Sequence, residues 1–197
     1  MQFDRIITKP VCGENVNYGI LYGSEKIVFI KTGAGGDIRG YEDKYIEMAY
    51  RAHGKLGATV ICASNPDAEH RSTDEKTIRQ IVSESGFSAF TLSFVGTSDG
   101  AYQILTLAGK FPETVKVLGI NPSFITVSGL KEKLAALPQA EKILVFGTED
   151  EEYVCALPAL QAMDPEPIVI EGADHRFTGM TREFISLIDL LEHNKEE

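Results

Sequence analysis

Cysteine is scarce in this 197-residue chain, and Cys12, Cys62 and Cys155 are widely spaced, odd in number and without a C-x-x-C pair. That leaves neither a disulfide framework nor a thiolate set for zinc. No apolar run approaches a membrane span, and the opening MQFDRIITKP carries charges where a secretory leader needs an apolar stretch. Repeats and low-complexity tracts are absent. Basic residues are outnumbered, 19 Lys and Arg against 29 Asp and Glu, and the net charge of −10 argues against nucleic acid and anionic membrane surfaces as partners. The expectation is a reduced, cytoplasmic protein. Its content of 43% hydrophobic and 24% charged residues suits one globular domain over 1–197 with a full core.

What is present is an alternation of short apolar runs with helical patterns. Phe3 to Thr8 and Asn17 to Tyr22 read as two strands joined by a turn containing Gly13. Ile27 to Ile30, Thr59 to Ala63, Ala89 to Val95, Val115 to Ile120, Ile143 to Phe146 and Pro167 to Ile170 read as buried strands. Between them, Tyr45, Met48, Ala49 and Ala52 mark one helix, Ile78, Ile81 and Val82 another, and Ala101, Ile104, Leu105 and Ala108 a third. A short helix is expected around Leu130 to Leu137, and a further helical stretch that Pro158 must begin or kink. Phe184, Ile185, Leu187, Ile188 and Leu191 mark a terminal amphipathic helix. Such alternation predicts an α/β protein with a mostly parallel sheet covered by helices on both faces. Ligands then bind beyond the carboxyl ends of the strands.

Four loops leave those ends. One is Thr32-Gly33-Ala34-Gly35-Gly36, and the second is Gly96-Thr97-Ser98-Asp99-Gly100, where a strand turns directly into a helix. That G-x-S-x-G setting holds a serine at a strained turn, with a helix N-terminus behind it to favour developing negative charge. The third is Gly147-Thr148-Glu149-Asp150, and the fourth runs Glu171-Gly172-Ala173-Asp174-His175-Arg176.

A serine hydroxyl needs a base to act as a nucleophile near neutral pH. Among four histidines, His53 and His70 lie on or beside helices and His193 lies in the tail, which leaves His175 in its glycine-containing loop as the candidate. A carboxylate must orient that base. Asp150 suits the role, Glu149 is its rival, and Asp174 is disfavoured because neighbours on an extended chain point apart. For the oxyanion, the Asp99 backbone N–H is one candidate donor and Ala34 the other, with Gly33 as the alternative. Arg39, Arg71 and Arg176 are candidates for meeting an anionic substrate group.

Carried by these four loops in the order Ser, Asp, His, the chain resembles an α/β-hydrolase-fold serine hydrolase, in particular the small members without a cap domain. The resemblance spans nearly the whole chain. It implies an eight-stranded, mostly parallel sheet in three layers, an acyl-serine intermediate on a small ester or acyl substrate, and no metal or organic cofactor. Many relatives insert a helical lid where Asn121 to Ala140 here holds at most a short helix, so an open site without a lid is expected. Two positions depart from the usual pattern: Thr32 stands where relatives often have histidine, and Asp99 puts a carboxylate beside the nucleophile. Ester cleavage comes first among the reactions implied, with thioester or amide next. A dinucleotide-binding turn at residues 33–36 fails on Ile38, where that motif needs glycine. A non-catalytic binding or signalling protein on the same scaffold, and an acyltransferase with the same three residues, are the alternatives.

Overall fold

The structure, a computed structural model, describes residues 1–66, 71–123 and 126–192. Eight strands form one sheet: β1 (Arg5–Val11), β2 (Glu14–Leu21), β3 (Ser24–Lys31), β4 (Ala58–Ala63), β5 (Thr91–Thr97), β6 (Thr114–Ile120), β7 (Glu141–Gly147) and β8 (Ile168–Ile170). Their spatial order is β1-β2-β4-β3-β5-β6-β7-β8. β1 and β2 pair antiparallel, β2 also runs antiparallel to β4, and all remaining pairs are parallel. The hairpin turns at Cys12 and Gly13, both at positive φ (50° and 88°) as a tight two-residue hairpin requires.

The helices are α1 (Lys44–Leu56), α2 (Arg71–Glu84), α3 (Asp99–Ala108), α4 (Val127–Ala135), α5 (Glu151–Gln161) and α6 (Thr181–Ser186). Alternation along each strand divides the core into two layers. Ile27 and Phe29 of β3, with Leu92 and Phe94 of β5, meet Ile78 and Ile81 of α2, Ile104 and Leu105 of α3 and Leu130 of α4. Val28, Ile30 and Val95 point the other way, to Ile46 and Ala49 of α1 and to Phe184 and Ile188 near the C-terminus. That is the period-two consequence of a pleated strand buried on both faces.

Two details differ from the sequence reading and a third narrows it. The first strand begins at Arg5, and the Phe3 ring before it packs over Gly19, where an added Cβ would lie 2.3 Å from it. Of the two placements the sequence left open for Pro158, the structure has it within α5 and not at its start. The terminal apolar stretch is split between α6 and a 3-10 turn, Leu187–Leu191.

Because β3 is followed in space by β4 on one side and β5 on the other, the connections leave in opposite directions at this point. A crevice opens there beyond the strand ends. The segment from β6 to β7 contains one helix, α4, among the described residues.

Candidate active site

Ser98 stands between β5 and α3 at φ 55°, ψ −126°, a conformation rarely adopted by non-glycine residues. Its neighbours make that turn possible. A Cβ on Gly100 would lie 2.2 Å from the Thr32 carbonyl oxygen, and one on Gly96 would lie 2.6 Å from the Ala101 Cα. Both positions therefore exclude larger residues, the physical content of the G-x-S-x-G spacing. The Ser98 N–H donates to the Ile120 carbonyl (2.9 Å), and its carbonyl accepts from the amides of Ala101 (3.0 Å) and Ser123 (3.2 Å).

Five residues line up across the crevice. Ser98 Oγ lies 2.8 Å from His175 Nε2, and His175 Nδ1 lies 2.9 Å from Asp150 Oδ2. Asp150 is fully buried at the start of α5, and its Oδ1 accepts from the Glu152 amide (2.9 Å). An ionised carboxylate only accepts, which assigns the proton of the neutral imidazole to Nδ1 and leaves the Nε2 lone pair for the Ser98 hydroxyl. On the other side Ser98 Oγ meets Ser123 Oγ (3.1 Å), which in turn donates to Glu152 Oε1 (3.3 Å).

Asp150, not Glu149, meets the histidine; Glu149 is exposed and only its amide is engaged, donating to the Ala173 carbonyl. Asp174 Oδ1 accepts from the amides of Arg176 (3.0 Å) and Thr178 (2.8 Å), shaping the loop instead of holding the imidazole. His53 bonds the Ala58 carbonyl through Nδ1, away from this group, while His70 and His193 lie outside the described residues.

The hydrogen bond to Asp150 holds His175 above the ordinary histidine pKa, with partial burial pulling the other way. An imidazole that keeps its proton to higher pH cannot accept one from Ser98 below that value. Turnover should therefore be lost as pH falls through an inflection above about 6.5. In a kcat/KM profile, Asp150→Asn should move that inflection to lower pH, and a wild-type inflection below the ordinary histidine value would contradict the assignment.

The loop after β3 packs against the serine: a Cβ on Gly33 would lie 3.4 Å from Ser98 Cβ. Gly33 N–H donates to the buried Tyr45 hydroxyl (3.2 Å). By contrast, the backbone N–H groups of Ala34 and Asp99 donate to no partner among the described residues, and Ala34 is exposed. Thr32 Oγ1 donates to the Gly36 carbonyl (3.0 Å), so the threonine closes its own loop. The Asp99 carboxylate accepts from Asn65 Nδ2 (3.1 Å) and Gln103 Nε2 (2.5 Å). Behind the loop, fully buried Lys31 pairs with Asp74 (3.0 Å) and donates to the Ser64 carbonyl (2.8 Å), and Tyr18 donates to Asp74 (2.7 Å). Burial pulls Lys31 below the ordinary lysine pKa, against the attraction of Asp74.

Sequence reasoning passed over Asn121, which follows β6 directly. Fully buried and left-handed at φ 42°, it donates from Nδ2 to the carbonyls of Asp174 and His175 (both 3.1 Å). Its Oδ1 accepts from the Gly147 amide (2.9 Å), so one side chain ties the histidine loop to the end of β7. Asparagine tolerates this backbone conformation better than alanine. Asn121→Ala should cost about 3 kcal/mol in urea unfolding, from three hydrogen-bond partners left unmet, one of them buried, and the strained φ. A change below about 1 kcal/mol would rule out this bracing role.

Beside His175 an open depression of about 330 Å³ is walled by Glu149, Glu151, Glu152 and Asp174, with Arg176 beside them. Arg39 is paired with Asp43 (2.8 Å), and the Arg71 side chain lies outside the described residues. Among the described residues no group of three or more His, Cys, Asp or Glu side chains is arranged to hold a metal ion. No helix among them is long and apolar enough to cross a membrane.

Solved structures resemble this architecture over nearly the whole chain. An α/β serine hydrolase homologue from Coxiella burnetii is 18% identical, with a TM-score of 0.66 and 98% of this chain and 99% of that chain covered. Alpha/beta hydrolase domain-containing protein 10 from mouse is 18% identical at a TM-score of 0.62, covering 95% and 98%. An esterase from Pyrobaculum calidifontis is 12% identical at 0.67, covering 95% and 84%. The chain has the α/β-hydrolase fold. No protein-family model matches it, and no curated protein matches it by sequence. Within the α/β-hydrolase fold, Ser98, Asp150 and His175 occupy loops at the carboxyl edge of one sheet, after β5, β7 and β8.

Proposed function

We propose that this chain is a serine hydrolase that cleaves a small carboxylic ester through an acyl-serine intermediate. One observation carries the reading: the unbroken line of hydrogen bonds from buried Asp150 through His175 to Ser98, at 2.9 and 2.8 Å. A structural histidine has no need to join a buried carboxylate to a serine held in strained backbone geometry.

In the proposed reaction, His175 Nε2 takes the Ser98 proton as Oγ attacks the ester carbonyl, and Asp150 stabilises the imidazolium that results. Negative charge collects on the former carbonyl oxygen, where the Ala34 and Asp99 amides donate to it. Gly33 is the weaker candidate because its N–H already donates a hydrogen bond to the Tyr45 hydroxyl. Collapse of the intermediate expels the alcohol, which receives the proton from His175. Water, activated by the same imidazole, then releases the acid and restores Ser98.

The chain is proposed to act as one domain without a separate lid, on substrates that reach Ser98 from an open face. The acidic wall around His175 works against the anionic substrate group that the three arginines suggested. Free thiols at Cys12, Cys62 and Cys155 fit the cytoplasmic placement expected from the sequence.

The test is hydrolysis of p-nitrophenyl esters of graded acyl length by the wild type and by Ser98→Ala. Wild-type turnover that the variant loses supports the reading. Equal rates in both would overturn it.

A further inference from the structure

We propose that Asn65, acting with Asp99 and Gln103, is a positioning residue that locks together the two backbone segments supplying the oxyanion donors. The inference rests on the Ser98 reading and extends it to side chains that the reading does not use.

Asn65 follows β4 and is fully buried. Its Nδ2 donates both to the Thr32 carbonyl and to Asp99 Oδ2, each at 3.1 Å, and its Oδ1 accepts from Gln103 Nε2 (3.0 Å). Its backbone joins the same loop: the Gly35 amide donates to the Asn65 carbonyl (2.8 Å) and the Asn65 amide to the Gly36 carbonyl (2.9 Å). One residue therefore grips the chain on both sides of Ala34 and, through Asp99, the first turn of α3. The amide orientation follows from chemistry, since Nδ2 faces two oxygens that only accept. A flip would set oxygen against oxygen.

This arrangement gives the Asp99 carboxylate a purpose. A free charge beside the nucleophile would oppose an oxyanion. Here Oδ2 is occupied by two side-chain amide donors, and the buried Lys31 ammonium adds attraction from behind the loop. The carboxylate becomes a strut between α3 and the glycine loop. Donors stabilise an oxyanion only if already in place when charge develops, and a displacement of about 1 Å costs roughly 10²-fold in rate.

The test compares Asn65→Asp, the double variant Asn65→Asp/Asp99→Asn, and Gln103→Leu on one p-nitrophenyl ester, with melting temperatures recorded. Asn65→Asp removes both Nδ2 donations and opposes two carboxylates. Its kcat should fall roughly 10²-fold with KM within about threefold. Affinity for a trifluoromethyl ketone, which forms an oxyanion on Ser98, should fall in step with kcat/KM, while affinity for the product acid should not change. The double variant restores a donor opposite an acceptor and should recover about tenfold of the loss. Gln103→Leu should lower kcat roughly tenfold, and it carries the test if Asn65→Asp does not fold.

A kcat within about threefold of wild type in both single variants would overturn the proposal, as would lost turnover with ketone affinity unchanged. A double variant no better than Asn65→Asp would do the same. A fluorophosphonate separates the two failures. Labelled wild type with unaffected variants removes the positioning role alone, whereas unlabelled wild type removes the Ser98 reading and this inference with it.

Discussion

Alanine at Ser98 or at His175 is expected to reduce ester turnover by roughly 10⁴- to 10⁶-fold while leaving the fold in place. The size follows from how the two side chains are joined. The Ser98 hydroxyl is too weak a nucleophile alone, and its Oγ rests 2.8 Å from the nitrogen that would take its proton. Removing either end of that bond removes the covalent route altogether. The losses should not add: the double variant should be about as slow as either single one, because half of a proton-transfer pair does nothing. Residual activity would come from the proposed oxyanion donors, the amides of Ala34 and Asp99, acting on bound ester and water. Both side chains are only part-buried, and Ser98 Oγ caps no backbone amide of α3, so truncation should alter unfolding free energy little. Steady-state kinetics beside urea unfolding separates the two effects. Lost activity together with lost folding would mean a structural role.

Asp150→Asn is expected to lower kcat about 10⁴-fold, whereas Glu149→Gln should stay within about threefold of wild type. Asparagine fills the same space, but its amide NH₂ can face Nδ1 and stabilise the wrong tautomer, placing a proton on Nε2 where a lone pair is needed. It also gives up the charge that compensates the imidazolium. Asp150 is buried, and its second oxygen accepts from the Glu152 amide, so the site has no ready substitute in place. Glu149 is exposed and makes no contact with His175 among the described residues. The paired variants separate charge in the neighbourhood from charge on the imidazole. Equal losses in both would indicate the former.

Much of this was legible because a parallel sheet is written in period two and its loops gather at one edge. Apolar runs such as Ile27 to Ile30 have no polar face, which marks burial on both sides, and the reversal in strand order brings the ends of β3 and β5 together. Ser98 and His175 could be read from residue type and position at strand ends. Asp150 and Glu149 could not be told apart from sequence, since the choice depends on which of two neighbours faces inward.

Asn65 and Asn121 were missed for a related reason. A single asparagine after a strand reads as a breaker, and its partners lie far along the chain: Thr32 and Asp99 for the first, Asp174 and His175 for the second. The usable signal was the edge itself, since β4 and β6 end beside the other loops. For Pro158 the sequence left two placements open, the start of the helix or a kink within it, because a missing N–H matters only where the carbonyl it would have met lacks water. Val154, four residues earlier, is 55% exposed, so this stretch of α5 lies on the solvent side. The final stretch tightened into a 3-10 turn, where Ile188 and Leu191 eclipse and both bury.

The most direct test of an activated serine is intact-mass measurement after treatment with a fluorophosphonate, with Ser98→Ala as control. One phosphonyl adduct on the wild type, absent from the variant and suppressed in His175→Ala, is the predicted result. No adduct on the wild type, or an adduct that persists without Ser98, would contradict the account.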